Sequence, residues 1–557
     1  MAPDSFAETL DQLALLLELS GRGALASRLA SAARHDGAAT GFRRLDREVD
    51  RYLAEARAGR GDRLIEEARR QLPPGVRRFL EAGQIDVRGL ARLAREAGAA
   101  SAGELVLAAA AGWGEDTTDA FALDRAIRMA RSPTSRLTLG RALDLLDEAA
   151  GVLEASGLER WEPTGSLRRF EPVVGDVKII GIAGDPAEAA ERVAARAGRY
   201  AFLRAPNLVA FPMGSHEITV RLTAPEHAGA VLLFHTGSVE HVRALAGRAR
   251  RFGLRLGPGG FIEASGTPRP AASEADAYAA LGLPEIPPEL RRGRDELEAA
   301  EQGRLPRLVD VADIRGDLHL HTTWSDGRDS LERMVEAARH LGYEYVAITD
   351  HSPSTGLGRT VGPSALERQM IEIDRLQARW PSIRILKGAE VDILPDGSLD
   401  LPDDLLERLD VVLASLHDPA GQDPDELLAR YVRAMEHPCV SIITHPANRM
   451  VGYTDGYALD FDALFDAAVR TGTILEVDGA PVHLDLDGDL ARRAAAAGVL
   501  LAIDSDCHQA DRLGRQMRCG VGTARRGWLE PRHVVNTRPW PEVAAILARK
   551  RARPAQA

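Results

Sequence analysis

Short apolar runs alternate with longer amphipathic segments from residue 313 onward. Apolar runs rich in β-branched residues predict buried strands, and apolar residues spaced three and four apart predict helices that bury one face. Repeated strand–helix units predict a parallel sheet, and this number of them favours a closed or nearly closed barrel. The predicted strands are 316–320, 345–348, 383–393, 411–416, 440–443, 473–477 and 499–503. The predicted helices are 330–341, 364–379, 424–437, 460–471 and 488–497.

The first 150 residues have a different pattern, in which leucines recur at helical spacing and no strand pattern interrupts them. Leu10, Leu13 and Leu17 form one such series, and Leu139 and Leu143 begin another. Spacings of three and four residues place these side chains on one face of a helix. We therefore expect the N-terminal region to be helical throughout.

The pattern changes near Gly165, where apolar runs again alternate with helical segments. This alternation predicts a small α/β or α+β unit in the middle of the chain. Residues 253–313 are rich in glycine, proline and charge, which is typical of the edge of such a unit followed by a connector. The predicted strands are 177–182, 208–211 and 218–222, and the predicted helices are 188–198 and 239–251.

The length and composition of the chain exclude several classes of protein. A chain of 557 residues exceeds one domain, since domains average about 150 residues. No apolar stretch approaches the roughly 18 residues of a membrane span, so no membrane partner is expected. The N-terminal segment has acids where a signal peptide has positive charge, and the three cysteines are too few for a disulfide framework in a chain of this size. These features predict a cytoplasmic protein.

The charge of the chain bears on its substrate. The formal net charge is −12, and most of the acidic excess lies after residue 312. Nucleic-acid-binding proteins usually have a basic excess, and this chain has none. Net charge therefore gives no indication of a nucleic-acid substrate and leaves a small molecule open as a substrate.

Imidazoles and carboxylates follow or end most of the predicted strands of the C-terminal region. In a parallel barrel the carboxyl ends of the strands form one rim, where active sites lie, so these side chains are expected to converge. His319 and His321 are two residues apart on a strand and can share one ion. Imidazole and carboxylate together suit zinc, manganese or iron, and one ion cannot use so many ligands. The nine residues are His319, His321, Asp326, His351, Glu390, His417, His445, Asp506 and His508.

The segment 316–353, with Glu390, His417, His445 and the sequence Asp506-Cys507-His508, resembles the polymerase-and-histidinol-phosphatase (PHP) domain. The resemblance implies a distorted (β/α)7 barrel that holds a trinuclear metal site. It implies one ion bound by His319, His321, Glu390 and Asp506, a second bound by Glu390, His417 and His445, and a third bound by Asp326, His351 and His508.

Two to three divalent transition-metal ions, Mn²⁺, Zn²⁺ or Fe²⁺, are therefore expected, with phosphoester hydrolysis as the reaction. Neighbouring ions activate water and neutralise the leaving oxygen, so Glu390 and Asp506 are expected to be catalytic through the ions they hold. Arg449 is a candidate phosphate clamp, because a guanidinium matches phosphate in a bidentate manner. Cys507 is expected to point to the opposite face.

The middle of the chain resembles the bacterial and archaeal family X DNA polymerases that carry a C-terminal PHP domain. The resemblance rests on 165–169, 174–176, 234–238 and the connector 278–290. It implies a nucleotidyltransferase-like fold, DNA as a partner, and nucleotide or phosphate contacts. The residues that would make those contacts are Ser166, Arg169, Asp176, Thr236, Gly237 and Ser238.

The sequence departs from that family at its polymerase site. Nucleotidyl transfer needs three carboxylates around two divalent ions, but the expected Asp-x-Asp reads Asp176-Val177-Lys178, and Thr219 replaces the third acid. Glu217 is about 7 Å farther along the strand and is a poor substitute. Lys178 and Asp176 are therefore expected to form an ion pair. The stretches 41–47 and 86–92 also lack the glycine pattern of helix-hairpin-helix loops.

The resulting assignment has four parts: a helical, helix-hairpin-helix-like region (1–150), a nucleotidyltransferase-like domain without polymerase chemistry (151–265), a connector (266–312) and a PHP phosphoesterase (313–557). The expected activity is 3′–5′ exonuclease or DNA end processing in repair. Three alternatives stay open: an active family X polymerase with a PHP exonuclease, a small-molecule phosphatase, and a non-catalytic docking scaffold in the N-terminal half. Protein partners are not indicated.

Overall fold

The computed structural model describes residues 47–72, 87–99, 102–113, 137–214, 216–356, 359–417 and 422–552, with a few single positions before residue 81. The chain forms two compact units. The N-terminal unit comprises 1–137, 141–169 and 174–305, and the C-terminal unit comprises 138–140, 170–173 and 306–557. No helix in the described ranges is long and apolar enough to cross a membrane.

The described part of the N-terminal region is helical, as its leucine spacing predicts. The prediction that no strand interrupts the first 150 residues is wrong at one place, where two residues form a strand too short to show any periodicity. The helices are Arg47–Arg57, Gly61–Arg70, Val87–Ala97, Ala102–Ala110 and Leu139–Glu154. The strands of the first half are β1 (Leu137–Thr138), β2 (Arg160–Pro163), β3 (Val173–Val174), β4 (Val177–Ile182), β5 (Phe202–Ala205), β6 (Leu208–Met213), β7 (His216–Thr223), β8 (Leu254–Gly257), β9 (Gly260–Glu263) and β10 (Pro268–Arg269).

Five of these strands form a mixed sheet in the order β2-β4-β7-β6-β5. Strands β4 and β7 pair in parallel, and the other pairs are antiparallel. Strands β4, β6 and β7 match the predicted runs, whereas β2 and β5 are short edge strands without an apolar pattern. The last three strands form a separate sheet in the order β10-β9-β8. The main helices here are Pro186–Ala197, Ala228–Thr236 and Val239–Arg251.

A buried ion pair fixes the helix Ala102–Ala110 to the five-stranded sheet. Arg221 of β7 donates from Nε to Glu104 Oε1 over 2.6 Å and from Nη2 to Oε2 over 2.8 Å. Both side chains are less than a tenth exposed. Because removal of one partner leaves a buried charge, such a pair makes the position specific for both residues.

The C-terminal unit contains seven parallel strands in sequential order, which confirms the predicted nearly closed barrel. Its strands are β11 (Gly316–Asp317), β12 (Tyr345–Ile348), β13 (Arg384–Asp392), β14 (Val411–Ser415), β15 (Ile442–Ile443), β16 (Ile474–Asp478) and β17 (Leu501–Asp504). Its longer helices are Leu331–His340, Pro363–Arg379, Pro424–Glu436, Phe461–Thr471, Gly488–Ala497, Leu513–Arg526 and Trp540–Arg551.

The interior of this barrel is apolar at one end and polar at the other. Leu318, Ala347, Leu413 and Ala502 belong to one buried apolar cluster, together with residues of the helix Trp540–Arg551. Farther along the strands, buried polar side chains such as Glu390 replace them. The alternate strand residues pack in a larger cluster with the surrounding helices. A solid apolar base under a polar rim is the usual arrangement of an enzyme barrel.

Side chains close the gap between the first and last strands of the barrel. Asn536 donates from Nδ2 to the carbonyls of Gly316 (2.9 Å) and Ile503 (2.6 Å), and its Oδ1 accepts from the Ile503 N–H over 3.0 Å. Asp504 Oδ1 accepts from the Leu318 N–H over 2.8 Å. Asn536 is completely buried. These bonds add to the backbone bonds that join the same two segments farther along, from the Asp506 N–H to the His319 carbonyl and from the His321 N–H to the Cys507 carbonyl.

Substitution of Asn536 by leucine is expected to destabilise the C-terminal unit by about 2–4 kcal/mol. Three hydrogen bonds are lost, each worth about 1 kcal/mol, and backbone groups are left buried without partners. Chemical denaturation followed by circular dichroism measures this change. Gln302→Leu makes a similar amide-to-leucine exchange at an exposed residue of the N-terminal unit and is expected to change stability by less than about 0.5 kcal/mol. Equal effects of the two variants would contradict this role for Asn536.

Candidate metal centre

The nine expected ligands converge at the carboxyl ends of the barrel strands. Glu390 lies within β13, and the others follow β11, β12, β14, β15 and β17. His445 and Asp506 have positive φ angles of 30° and 47°, a conformation that costs non-glycine residues energy and recurs at functional sites. The potential ligand atoms form three groups, each within 4.8 Å: His319, His321 and Asp506; His351, Glu390 and His417; and His321, Asp326, His351 and His508.

Glu390 lies at the centre of the cluster. Its Oε1 is 3.0 Å from His445 Nε2 and 3.3 Å from His417 Nε2. Its Oε2 is 3.4 Å from His319 Nε2, 3.5 Å from His321 Nε2 and 2.8 Å from His351 Nδ1. A carboxylate with imidazole nitrogens beside both oxygens is placed to bridge ions.

The histidines around Glu390 also approach each other and the other carboxylates. His319 Nε2 and His321 Nε2 are 3.0 Å apart, and His321 Nε2 is 3.1 Å from Asp506 Oδ1. His508 Nε2 is 3.2 Å from Asp326 Oδ2. Compared with the ligand sets implied by the PHP resemblance, the first group lacks Glu390, the second has His351 in place of His445, and the third also includes His321. The assignment of individual residues to individual ions stays a prediction.

The charges within the cluster shift the pKa values of its members in different directions. Burial alone would raise the pKa of Glu390, but His351, His417 and His319 hold it well below its usual value. Burial opposes charge on His417, yet Glu390 and Asp392 raise its pKa to about 10. Burial and the neighbouring His351 and His508 lower the pKa of His321 to about 3. The carboxylates thus stabilise positive charge at this place, whether it is on an imidazole or on a bound cation.

Several buried polar atoms in the cluster have no hydrogen-bond partner. They are Glu390 Oε2 and the Nδ1 atoms of His321, His351 and His445. Glu390 Oε2 and His351 Nδ1 are 2.8 Å apart but are not aligned for a hydrogen bond. Buried polar atoms are normally satisfied, and a bound cation satisfies a lone pair as a donor does. Oxygen and imidazole nitrogen ligands suit divalent transition metals, so the residues fit divalent metal ions.

Three buried carboxylates that were not predicted support this cluster. Asp392 Oδ1 is 2.9 Å from His417 Nδ1, and Glu476 Oε1 is 2.7 Å from His319 Nδ1. Asp350 accepts from the N–H groups of Thr322 and Ser325, which orders the loop that contains Asp326. A lone acid inside an apolar strand, as at Glu476, is the sequence signal that could have identified one of them.

Cys507 points away from the ligand atoms, and Arg449 is held by the loops beside them. Cys507 packs in the outer apolar cluster and donates to the Gln509 carbonyl over 3.0 Å, which confirms its expected direction. Arg449 donates from Nε to the His483 carbonyl over 2.8 Å, and its Nη1 lies 3.3 Å from Asp487 Oδ2. These contacts anchor Arg449 within the loops beside the cluster, and its role as a phosphate clamp stays a prediction.

The polymerase-like site has the expected substitutions on adjacent strands. Lys178 of β4 and Thr219 of β7 are direct partners in the parallel pair. Lys178 Nζ is 3.1 Å from Asp176 Oδ2, which confirms the expected ion pair. Glu217 is bound instead by Arg204, whose Nη2 donates to both carboxylate oxygens over 2.7 and 2.9 Å. An ammonium therefore occupies the position where a metal ion would need acids.

The expected phosphate contacts of the N-terminal unit are engaged in internal hydrogen bonds. Arg169 Nη1 donates to the carbonyl of Thr236, and Ser238 Oγ accepts from the His241 N–H at the start of a helix. Gly237 lies between them in a left-handed conformation. Ser166 Oγ accepts from the Gly175 N–H over 3.5 Å. These contacts are compatible with a structural role, and phosphate binding by the six residues stays a prediction.

The helix-hairpin-helix prediction is partly outside the described residues. Of the two stretches compared with helix-hairpin-helix loops, 41–47 and 86–92, positions 41–46 and Asp86 lie outside the described residues. Residues 87–92 form the start of the helix Val87–Ala97.

Comparisons with known proteins agree with both halves of this description. Residues 231–292 match the family model of the DNA polymerase beta thumb, and residues 317–474 match that of the PHP domain. The chain is 32% identical over 524 residues to the DNA polymerase/3′-5′ exonuclease PolX of Bacillus subtilis, covering 90% of this chain and 89% of that protein. A probable phosphatase of Syntrophotalea carbinolica is 38% identical over 167 residues, covering 29% of this chain and 64% of its own length.

Among solved structures, the histidinol phosphate phosphatase of Lactococcus lactis, in complex with zinc, L-histidinol and phosphate, covers 38% of this chain and 94% of its own length. It is 17% identical to this chain, with a TM-score of 0.30.

Proposed function

The chain belongs to the family X DNA polymerases that carry a PHP exonuclease domain, and from this membership we propose that it is a 3′–5′ exonuclease or DNA end-processing enzyme. Its C-terminal unit is a metal-dependent phosphoesterase. The observation that carries the proposal is the position of Glu390, whose two oxygens lie within 3.5 Å of five imidazole nitrogens.

We assign the nine clustered residues as ligands of two to three divalent ions, Mn²⁺, Zn²⁺ or Fe²⁺. When bound, such ions supply the Lewis-acid chemistry of phosphoester hydrolysis. The protein holds the ligands in place with buried carboxylates: Asp392 orients His417, and Asp350 orders the loop of Asp326. Six of the nine side chains are buried and three, Asp326, His417 and His508, are half-buried, which limits the access of bulk water to the ligand atoms.

A cluster of exposed apolar side chains next to this centre favours a nucleobase-bearing substrate over a small phosphoester. Met450, Tyr453 and Val482 are 46%, 88% and 56% exposed, and they are three of the ten large apolar side chains exposed among the described residues. The Val451 N–H donates to the Val482 carbonyl over 2.8 Å, which joins their two loops. An exposed aromatic ring is suited to stacking on any base.

The joined loops contact the metal centre directly. His483 follows Val482, and its ring stacks on that of His445 with centroids 5.5 Å apart. Its Nδ1 lies 2.9 Å from the Arg449 carbonyl. A strand end with its phosphate at the centre would therefore have its terminal base near these side chains.

Tyr453→Ala is expected to raise KM for a single-stranded oligonucleotide about tenfold, since stacking contributes about 1–3 kcal/mol per base. Hydrolysis of bis(p-nitrophenyl) phosphate should be unchanged, because that ester needs no base contact. Steady-state kinetics on both substrates measure the difference. Ile371→Ala, at another half-exposed residue of the same unit, is the control. An equal loss on both substrates would favour the small-molecule phosphatase.

We also propose that the N-terminal unit has lost nucleotidyl transfer and contributes to DNA binding. The Lys178–Asp176 pair and the Thr219 partner of Lys178 support the first part. The match to a polymerase thumb over 231–292 supports the second. The four domain ranges assigned from the sequence are part of this proposal, as is the role in DNA repair.

A further inference from the structure

Strand β16 is unusual among the barrel strands because it contributes none of the nine expected ligands. It nevertheless contains a carboxylate, Glu476, between the apolar residues Leu475 and Val477. The Glu476 side chain is fully buried in the barrel. A buried charge is costly unless it is paired and hydrogen-bonded, so the contacts of Glu476 show what it does.

Both oxygens of Glu476 are occupied by groups that belong to the metal centre. Oε1 is 2.7 Å from His319 Nδ1. Oε2 accepts from the backbone N–H of His445 over 2.7 Å and from the Thr444 hydroxyl. The Thr444 hydroxyl also lies 3.0 Å from His319 Nδ1.

Glu476 and Glu390 therefore hold the same two histidines from opposite sides. Glu390 faces the Nε2 atoms of His319 and His445, at 3.4 and 3.0 Å. Glu476 faces the Nδ1 atom of His319 and the main chain of His445. An imidazole that donates from Nδ1 to a carboxylate has a fixed tautomer, with the Nε2 lone pair free for a metal.

We propose that Glu476 is a positioning residue of the metal centre, which fixes the tautomer of His319 and the backbone of His445 so that both Nε2 atoms face the ions. This inference rests on the proposed metal-dependent function. The effect depends on the carboxylate charge, because a neutral side chain of the same shape cannot make the His319 imidazole as good a donor to the ion.

Glu476→Gln is expected to weaken Zn²⁺ binding 10–100-fold, the range found when the hydrogen-bond partner of a metal-bound histidine is removed. The full-length protein is stripped of metal and titrated with Zn²⁺ alone, in competition with a chromophoric chelator. Asp485→Asn is the matched control: Asp485 is an equally buried carboxylate, but it accepts from the N–H groups of Ala447 and Arg449 rather than from an imidazole. Its Zn²⁺ affinity should change less than threefold.

A second measurement on the unmodified protein covers the case in which Glu476→Gln does not fold. In the ¹⁵N spectrum of the histidine side chains of the Zn²⁺-loaded protein, assigned with a His319→Asn variant, His319 should have a protonated Nδ1. Glu476→Gln with the affinity of the unmodified protein, or a His319 protonated at Nε2, would overturn the inference. If the unmodified protein itself bound no Zn²⁺, the proposed metal-dependent function would fail instead.

Discussion

Glu390→Gln is expected to lower phosphoester hydrolysis by about 1,000-fold, which corresponds to about 4 kcal/mol of transition-state stabilisation. Both Glu390 oxygens face imidazole nitrogens of the cluster, so one residue contributes to more than one proposed ion. The amide keeps the shape of the side chain but has no charge and offers one oxygen. Initial rates with bis(p-nitrophenyl) phosphate in the presence of Mn²⁺ measure the loss.

The control for this change is Glu367→Gln, which removes a carboxylate paired with Arg408 on the surface of the same unit. Such exposed pairs contribute about 0–1 kcal/mol to stability, and activity should be unaffected. Metal content is measured for both variants, because loss of activity should be accompanied by loss of bound metal. A Glu390→Gln protein with more than a tenth of the original rate would show that the cluster is not the reaction centre.

Template-directed nucleotide incorporation is expected to be undetectable with Mg²⁺ or Mn²⁺. Lys178 and Thr219 are side by side on β4 and β7, and the Lys178 ammonium lies 3.1 Å from Asp176 Oδ2. A cation at this distance competes with any metal ion for the remaining acid, and the two-metal reaction needs three acids. A primer with phosphorothioate linkages at its 3′ end, extended on a longer template, measures incorporation without loss of the primer.

The Asp176→Ala variant provides the baseline for that assay, since it removes the last of the three acids. We expect the unmodified protein and this variant to give the same result. Extension by the unmodified protein above the Asp176→Ala level would show that the protein is an active family X polymerase.

The metal centre could be predicted from the sequence because two periodic signals coincide there. Strand spacing identifies the carboxyl ends of the strands, and residues such as His351 and His417 follow those ends directly. Functional residues whose position depends on the local sequence pattern can thus be identified without a structure. The same holds for the Lys178–Asp176 pair, whose members are two residues apart, with Asp176 directly before β4 and Lys178 within it.

The supporting groups could not be predicted, because their function depends on contacts between distant segments. Glu476 contacts a histidine 157 residues away, and Asn536 binds a carbonyl 220 residues away. The lone acid within an apolar strand marks Glu476 as unusual but does not show which residue it contacts, and Asn536 belongs to no local pattern. Strand β5 was missed for another reason: an exposed edge strand has no buried face and so has little apolar periodicity.

The most direct test of the proposed function uses a 5′-labelled strand annealed to a longer template, incubated with the Mn²⁺-loaded protein and no nucleotides. Resolution of the products by length shows which phosphoester bonds are cleaved. The proposal predicts successive shortening of the labelled strand from its 3′ end, lost when Mn²⁺ is chelated and lost in Glu390→Gln. A labelled strand that stays intact, while the same metal-loaded protein hydrolyses a small phosphate monoester, would contradict it.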